Sequence, residues 1–294
     1  MSRKQKSSSR PGHLVVVGGA EDREQDKPIL REFARLSGGE KARIAVLTAA
    51  SSIQDEIWEI YDKAFGDLGV EQRMPFVINS RDEANDPHRV EQLLGATGIY
   101  MTGGDQKRLL AMLGGTALDS ALHRAFFEHG TCIGGTSAGA SAMSGHMLAE
   151  SLNDSIPQKG SVNLAAGLGF LHRVVIDQHF SARQRLGRLL AVVAQNPYLF
   201  GVGIDEDTAL VIEYGKRFEV IGEGAVTVLD GRQMSSNFLT INHHEHLELI
   251  DVRLHLFPAG ARYEAGEPGD EGCTGLPESL REIVSVITNR DYLS

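Results

Sequence analysis

The sequence predicts an α/β protein with a mostly parallel central sheet flanked by helices and a β-rich C-terminal part. Short apolar segments alternate with amphipathic ones through the first half, which is typical of parallel strands joined by right-handed crossover helices. Every glycine-rich segment of that half falls at the end of an apolar segment. Because open α/β sheets bind ligands beyond the carboxyl ends of their strands, we expect the functional residues there.

The individual elements follow from periodicity and from stop signals. Apolar Ile29, Leu30, Phe33 and Leu36 have helical spacing, and Gly69 ends the next amphipathic run. In the first half, strands are predicted at 14–17, 42–48, 72–78, 98–101 and 131–133, and helices at 27–36, 55–68, 90–94, 105–113 and 117–129. In the less regular second half, strands are predicted at 174–176, 201–204, 209–213, 217–221, 225–229 and 246–251, and a closing helix at 277–288.

Composition limits the class of protein. The 294 residues are 41% hydrophobic, which suffices for one domain at 13–294 after a disordered tail at 1–12. A net charge of −10 argues against general affinity for nucleic acid. No segment approaches the roughly 20 apolar residues of a membrane span. With only two cysteines, Cys132 and Cys273, a disulfide framework is not expected and a reducing, cytoplasmic compartment is favoured; Cys132, in an apolar run, is expected to be a buried, inert thiol.

Residues 135–139 (GTSAG) fit the nucleophile elbow, G-x-S-x-G. An elbow needs a strand before the serine, a helix after it and small flanking residues, because the serine occupies a tight, strained turn. All three conditions are met here, so a nucleophilic Ser137 is favoured over a plain glycine-rich turn. The backbone N–H of Ala138, at the start of the following helix, would then be one oxyanion donor.

The triplet Asp177, Gln178 and His179 follows the predicted strand at 174–176. A catalytic base would be delivered at such a position, although a histidine by itself is more often structural.

Three arginines lie shortly after this triplet, at Arg183, Arg185 and Arg188. One interpretation is a basic helix face in water. In an acidic protein they also indicate an anionic ligand group, since the planar arginine fork binds carboxylates with two hydrogen bonds.

A carboxylate is needed to orient the base and to stabilise its cation. Asp205, Glu206 and Asp207 are candidates in one acidic turn, and Glu150 and Asp154 are others. From the residue types alone the choice stays open, with a solvated acidic turn as the alternative.

Residues 102–106 (TGGDQ) follow another predicted strand. Gly104 would bring a backbone N–H to the substrate as the second oxyanion donor, and Gln106 would hydrogen-bond the substrate. The sequence has no Walker lysine, and residues 18–22 lack the G-x-G-x-x-G spacing of a dinucleotide site. His243, His244 and His246 form a compact cluster with Glu245, for which a solvated strand or turn is expected rather than a metal site.

Four segments together resemble the cyanophycinase family of serine peptidases, a group that also contains aspartyl dipeptidase: GGTSAGASAM, VVIDQHFSARQRLGRLL, GVGIDEDTAL and YMTGGDQKRLL. The resemblance extends from about Val15 to Leu229 and matches nothing beyond residue 230. Cyanophycinases release β-Asp-Arg dipeptides from cyanophycin, a polyaspartate whose β-carboxyls carry arginine. The resemblance implies a fold like that of class I glutamine amidotransferases, with serine in place of their cysteine.

The resemblance also implies roles by position. Ser137 matches the nucleophile, His179 the base and Glu206 the acid. The implied substrate-binding residues are Gln106, Asp177, Gln178, Arg183, Arg185 and Arg188. Cyanophycin is the implied substrate, no metal or organic cofactor is required, and we expect a homodimer. The alternatives are another isopeptide or an aspartyl dipeptide as substrate, or a non-catalytic binding member of the family.

Overall fold

A computed structural model describes residues 10–152, 155–265 and 277–289. These residues contain eight α-helices and sixteen strands. The helices are α1 (Pro28–Leu36), α2 (Gln54–Asp67), α3 (Pro87–Leu94), α4 (Gln106–Leu113), α5 (Ala117–His129), α6 (Ala138–Ser141), α7 (Leu186–Gln195) and α8 (Glu278–Ile287). The first eight strands are β1 (His13–Val17), β2 (Arg43–Leu47), β3 (Gln72–Phe76), β4 (Gly98–Met101), β5 (Cys132–Thr136), β6 (His146–Ser151), β7 (Val162–Ala166) and β8 (Val174–Asp177). The remaining strands are β9 (Phe200–Ile204), β10 (Thr208–Glu213), β11 (Arg217–Gly222), β12 (Ala225–Asp230), β13 (Ser235–Ser236), β14 (Leu249–Ile250), β15 (Arg253–Pro258) and β16 (Arg262–Glu264).

The central sheet has eight strands in the order β16-β11-β10-β1-β5-β4-β2-β3. Five neighbouring strands in this order, β1, β5, β4, β2 and β3, are parallel. Strands β10, β11 and β16 add an antiparallel extension next to β1. A second sheet has the order β15-β12-β9-β8, in which only β8 and β9 are parallel. The predicted α/β class with a mostly parallel central sheet and a β-rich C-terminal part is therefore confirmed.

Strand β1 shows why the sheet is buried on both faces. Leu14 and Val16 belong to one apolar cluster, whereas Val15 and Val17 point to the other side and pack in a second cluster. Alternate side chains of a strand point to opposite faces, so a central strand covered on both sides reads as a continuous apolar run. The edge strand β3 instead contains Pro75, which removes one backbone donor and is tolerated at an edge.

Most predicted elements of the first half match the structure to within a few residues, but several predictions need correction. Strand β5 does not stop at 133: it continues through Gly134 and Gly135, which pair with β1 and β4. Of the predicted strand 246–251, only β14 is a strand, and it pairs with the two residues of β13. The hairpin of β6 and β7 and the strands β15 and β16 were not predicted.

The structure also bears on the expected N-terminal tail, on the two cysteines and on membrane-spanning segments. Residues 1–9 of the predicted tail lie outside the described residues, whereas Gly12 is buried and its N–H donates to the Phe126 carbonyl at 3.0 Å. Cys132 is buried in β5, and burial raises the pKa of its thiol far above the usual range. Cys273 lies outside the described residues. No helix among the described residues is long and apolar enough to cross a membrane.

An aromatic cluster packs against the glycines of β5. Phe33, Phe65 and Tyr100 have ring centroids 5.1–5.8 Å apart. A Cβ atom on Gly134 would lie 2.6 Å from the Tyr100 ring and 2.8 Å from the Phe33 ring. The absence of a side chain at Gly134 therefore lets these rings lie directly on the strand.

We expect Gly134→Ala to destabilise the protein by about 1–3 kcal/mol, because the added methyl group overpacks a core of rigid rings. The free energy of unfolding from chemical denaturation measures this loss. Gly66→Ala in α2 is the matched control: its new methyl would meet only the flexible Arg73 guanidinium, at 3.4 Å, and alanine favours the helix. Equal stability of the two variants would show that the ring cluster relaxes without cost.

Candidate active site

The predicted catalytic residues meet at one edge of the central sheet. Ser137 follows β5, His179 follows β8, and Glu206 lies between β9 and β10. Strands β1 and β5 are parallel, so their carboxyl ends share this edge, and β10 runs antiparallel to β1 and begins there. His179 and Glu206 thus follow strands of the second sheet, whereas Ser137 follows a strand of the central sheet.

Ser137 has the strained backbone of an elbow. Its φ of 52° and ψ of −111° lie where a residue with a side chain is unfavourable, at a cost on the order of 1–3 kcal/mol. Two backbone hydrogen bonds hold it there: its N–H donates to the Val17 carbonyl at 3.1 Å, and its carbonyl accepts from Ser141 at 3.0 Å. The turn presents the Ser137 hydroxyl at the start of α6.

His179 lies between the hydroxyl and a carboxylate. Its Nε2 is 3.1 Å from Ser137 Oγ, and its Nδ1 is 2.6 Å from Glu206 Oε1. Since an ionised carboxylate can only accept, Nδ1 carries the hydrogen in this pair, which leaves Nε2 of the neutral ring to accept the serine proton. The three side chains therefore form a continuous hydrogen-bonded relay with the geometry of a Ser-His-acid triad.

The three acids of the 205–207 turn have separate roles, which the residue types alone did not distinguish. The Asp205 carboxylate accepts from the backbone N–H groups of Ser181 and Ala225, each at 3.1 Å. The Asp207 carboxylate accepts from the Asp22 N–H at 2.9 Å. Only the middle residue, Glu206, points to His179. The two aspartates fix the turn, and the glutamate is left to face the imidazole.

Three consecutive carbonyls at the end of β1 hold the backbone of all three segments. Val17 accepts from the N–H of Ser137 at 3.1 Å, Gly18 from that of His179 at 2.7 Å, and Gly19 from that of Asp207 at 2.9 Å. Each segment of the relay is thus anchored to the same short stretch of chain, which fixes their relative positions.

Gly19 also allows the His179 ring to approach the backbone. A Cβ atom on Gly19, whose φ is +101°, would lie 2.4 Å from the ring atoms Nε2 and Cε1. The sequence analysis missed this residue, because residues 18–22 were tested only against a dinucleotide motif. The available signal was a glycine pair at the end of a central strand.

Of the predicted oxyanion donors, Ala138 directly follows Ser137, and Gly104 follows Gly103, which lines the same pocket as Ser137. The N–H groups of Gly104 and Ala138 have no acceptor among the described residues. Gly104 has a φ of +142°, and its Cβ would overlap the Ala50 carbonyl, so no larger residue fits. Gly103, which was not predicted, is also close: its Cβ would be 3.4 Å from that of Ser137. The absence of a side chain at Gly103 therefore leaves space beside the Ser137 hydroxyl.

Two of the three predicted arginines, Arg185 and Arg188, bond through their side chains to residues of the 177–179 triplet. Arg188 forms a two-pronged ion pair with Asp177, with Nε 2.7 Å from Oδ2 and Nη2 bonded to Oδ1. Arg185 lies 3.5 Å from Asp177 Oδ1 and donates to Gln178 Oε1 at 3.0 Å. Asp177, Gln178 and both arginines are buried, so these two arginines belong to a polar network next to His179 and not to a solvated helix face.

Gln178 connects this network to the relay. Its Oε1 is 3.5 Å from Ser137 Oγ and also accepts from Arg185. Arg183 is exposed, and its backbone N–H bonds to the His179 carbonyl at 3.1 Å. Of the three predicted arginines, Arg183 is therefore the one whose side chain is exposed to solvent.

The remaining candidates lie around the β6–β7 hairpin. Gln106 donates to the Leu148 carbonyl at 3.0 Å, which ties α4 to that hairpin. Glu150 is exposed and pairs with Lys107, which lowers the pKa of its carboxyl. Asp154 lies outside the described residues. Of the carboxylates considered from the sequence, Glu206 is the one that the described structure places on His179.

A pocket of about 110 Å³ opens beside Ser137. Its lining consists of Ala20, Glu21, Arg23, Ile57, Tyr61, Gly103, Thr136 and Ser137. Glu21 is another residue that the sequence analysis did not single out, and its carboxylate is buried.

The histidine cluster lies in an exposed turn, and an isolated β-bridge between His246 and Gln158 joins it to another part of the described chain. His243, His244 and His246 are exposed in a turn that Glu245 closes by accepting from the Asn242 N–H at 2.8 Å. The described residues contain no group of three or more His, Cys, Asp or Glu side chains that could hold a metal ion.

Comparisons with known proteins are consistent with this geometry. The model of peptidase family S51 matches residues 14–221. The chain is 37% identical over 257 residues to a cyanophycinase of Synechococcus elongatus, covering 87% of this chain and 80% of that one. It is also 37% identical over 251 residues to a cyanophycinase of Geminocystis herdmanii, covering 85% and 92%. The crystal structure of a peptidase from an acI-B1 Actinobacterium has a TM-score of 0.65 at 23% identity, covering 87% and 98%, which shows the similarity of fold.

We expect Gly19→Ala to displace the His179 ring from Ser137 and to slow labelling of the serine by a fluorophosphonate about tenfold or more. The rate constant of labelling, measured on folded protein, checks this. Gly69→Ala is the matched control, because Gly69 also has a positive φ, +81°, but has no atom within 4 Å of its added methyl. Both variants carry backbone strain, so similar losses of stability with similar labelling rates would contradict a role for Gly19 in placing the imidazole.

Proposed function

Because this chain belongs to peptidase family S51, we propose that it is a serine-type peptidase that degrades cyanophycin, multi-L-arginyl-poly-L-aspartate, to β-Asp-Arg dipeptides. The observation that carries the proposal is the relay of 3.1 Å and 2.6 Å contacts that joins Ser137, His179 and Glu206. The homodimer and the cytoplasmic location expected from the sequence are part of the same proposal.

The proposed reaction begins with attack of Ser137 Oγ on a backbone carbonyl of the polymer. His179 Nε2 takes the hydroxyl proton, and the Glu206 carboxylate stabilises the resulting imidazolium. The N–H groups of Gly104 and Ala138 bind the oxyanion of the tetrahedral intermediate. The C–N bond then breaks, the imidazolium gives its proton to the leaving amine, and the acyl group stays on Ser137.

Water completes the cycle by the same route. His179 removes a proton from the water as it attacks the acyl-enzyme, and returns a proton to Ser137 Oγ when the C–O bond breaks. Atoms and protons balance with water as the only co-reactant. The proposed chemistry therefore needs no group beyond the relay and the backbone donors.

Substrate recognition is proposed to divide between Arg183 and the buried network. Cyanophycin carries a free carboxylate and a guanidinium on each side chain. The exposed Arg183 would bind a carboxylate, whereas Arg185 and Arg188 would act indirectly, by fixing Asp177 and its neighbour Gln178, which contacts Ser137. This differs from a simple cluster of three substrate-binding arginines.

We expect Ser137→Ala to abolish activity and Glu206→Gln to lower kcat by about 10²–10⁴-fold, because the amide no longer stabilises the imidazolium. Mass spectrometry of the soluble products from purified cyanophycin measures both. Glu150→Gln is the control carboxylate: it should lose an exposed pairing with Lys107 and keep near-normal activity. If Glu206→Gln lowered kcat only slightly and Glu150→Gln lowered it strongly, Glu206 would not be the acid.

Arg183→Ala and Arg188→Ala should fail in different ways. Loss of one charge-assisted contact at Arg183 should reduce cleavage of cyanophycin by about 10–100-fold, with normal thermal stability and normal fluorophosphonate labelling. Arg188→Ala should cost about 3–5 kcal/mol of stability, because it leaves Asp177 buried with one of its partners removed. Arg124→Ala, an exposed arginine of α5, controls for the change in net charge. Normal cleavage of cyanophycin by Arg183→Ala would remove this residue from the proposed substrate site.

A further inference from the structure

Glu21 is a buried carboxylate that has no role in the proposed reaction. It follows the glycine pair at the end of β1, its exposed fraction is 3%, and it borders the same pocket as Ser137. Burying a carboxylate is costly unless its oxygens are well hydrogen-bonded. The hydrogen-bond partners of Glu21 therefore show what stabilises the carboxylate in this buried position.

Three hydroxyl groups donate to this carboxylate. Oε1 accepts from Tyr61 at 2.5 Å and from Tyr100 at 3.1 Å, whereas Oε2 accepts from Thr136 Oγ1 at 2.6 Å. Burial, together with the nearby Glu21 charge, raises the pKa of both tyrosines well above its usual value, so both phenols stay protonated and remain donors. The two oxygens thus have different tasks: one holds the aromatic side of the pocket, and the other holds β5.

Thr136 is the last residue of β5 and directly precedes Ser137. Its side chain is buried, so its hydroxyl has one fixed orientation toward Glu21. A rotation of the Thr136 backbone would be transmitted to the strained Ser137 and would move Oγ relative to His179. Two hydrogen bonds therefore hold this turn. The bond from the Thr136 side chain to Glu21 fixes the residue before the strained one, and the bond from the Ser137 N–H to Val17 fixes the strained residue itself.

We propose that Glu21 is a positioning residue that sets the orientation of the Ser137 hydroxyl through the side chain of Thr136. The inference rests on the proposed function, in which Ser137 is the nucleophile. An error of about 1 Å in the placement of a reacting atom can cost about a hundredfold in rate, so a hydrogen bond that fixes the preceding residue has a measurable effect.

The test compares Thr136→Val, Thr136→Ser and Tyr100→Phe in the full chain. Valine has the shape of threonine but cannot donate to Glu21, whereas serine keeps the hydroxyl. Tyr100→Phe removes a bond to the other oxygen of the same carboxylate, and with it the interaction of the Tyr100 and Thr136 hydroxyls, but leaves the bond from Thr136 to Glu21 in place. Glu21→Gln is a further variant, and the threonine pair keeps the proposal testable if that variant does not fold. For each, we would measure kcat and KM on cyanophycin, the labelling rate with a fluorophosphonate, and the melting temperature.

We expect Thr136→Val to lower kcat and the labelling rate by about 10–100-fold with KM changed less than about twofold, and Thr136→Ser to restore most of both. Tyr100→Phe should melt at a lower temperature but react normally per folded molecule. Normal rates for Thr136→Val, or an equal loss of kcat in Tyr100→Phe, would overturn the inference and leave the network with a role in stability only. A wild-type protein that neither cleaves cyanophycin nor reacts with the probe would instead overturn the proposed function, and this inference with it.

Discussion

The three hydrogen bonds accepted by Val17, Gly18 and Gly19 are the constraint on which the site depends. Residues 137, 179 and 206 are far apart in the chain and leave three different strands. Main-chain bonds from Ser137, His179 and Asp207, the neighbour of Glu206, to residues 17–19 at the end of β1 place these segments without relying on long side chains, which have many rotamers. The glycine at position 19 serves this arrangement twice, because its carbonyl holds the acidic turn and its missing side chain leaves space for the imidazole.

The sequence predicted the parts of the site that have local signals. The elbow at Ser137 was predicted because its requirements, a strand, a helix and small neighbours, all lie within a few residues. The choice of Glu206 over Asp205 and Asp207 came only from the family resemblance, since all three are acids in one turn and differ only in which distant N–H groups they meet. Gly19 and Glu21 were missed for the same reason: their partners are His179, Tyr61, Tyr100 and Thr136, which no local pattern connects. In the second half, polar residues interrupt the alternation of β6, whose pairing with β7 also contains an irregularity near Leu148, so the hairpin was not predicted.

Several charged residues of this protein form their contacts in its interior and not at its surface. The segment that suggests a basic surface contributes Arg185 and Arg188 to a buried network with Asp177, and the acidic turn at 205–207 contributes two aspartates to backbone contacts. A buried ion pair gives little net stability compared with apolar packing, but it strongly penalises any arrangement that separates the partners. In a site where Gln178 must remain next to Ser137, such a penalty favours a single arrangement.

The place of β1 in the sheet also determines when its two edges can be covered during synthesis. In the finished fold β1 lies between β5 and β10, with His13 opposite Glu213. Until residue 213 has left the ribosome, β1 is an open edge strand, and exposed edges of this kind invite pairing with other chains. The acidic turn at 205–207 directly precedes β10, so the bond from the Asp207 N–H to the Gly19 carbonyl can form only after this same part of the chain has been made. One segment of the chain thus both covers the open edge of β1 and carries Glu206 to His179, so protection from aggregation and completion of the site depend on the same late stretch of sequence.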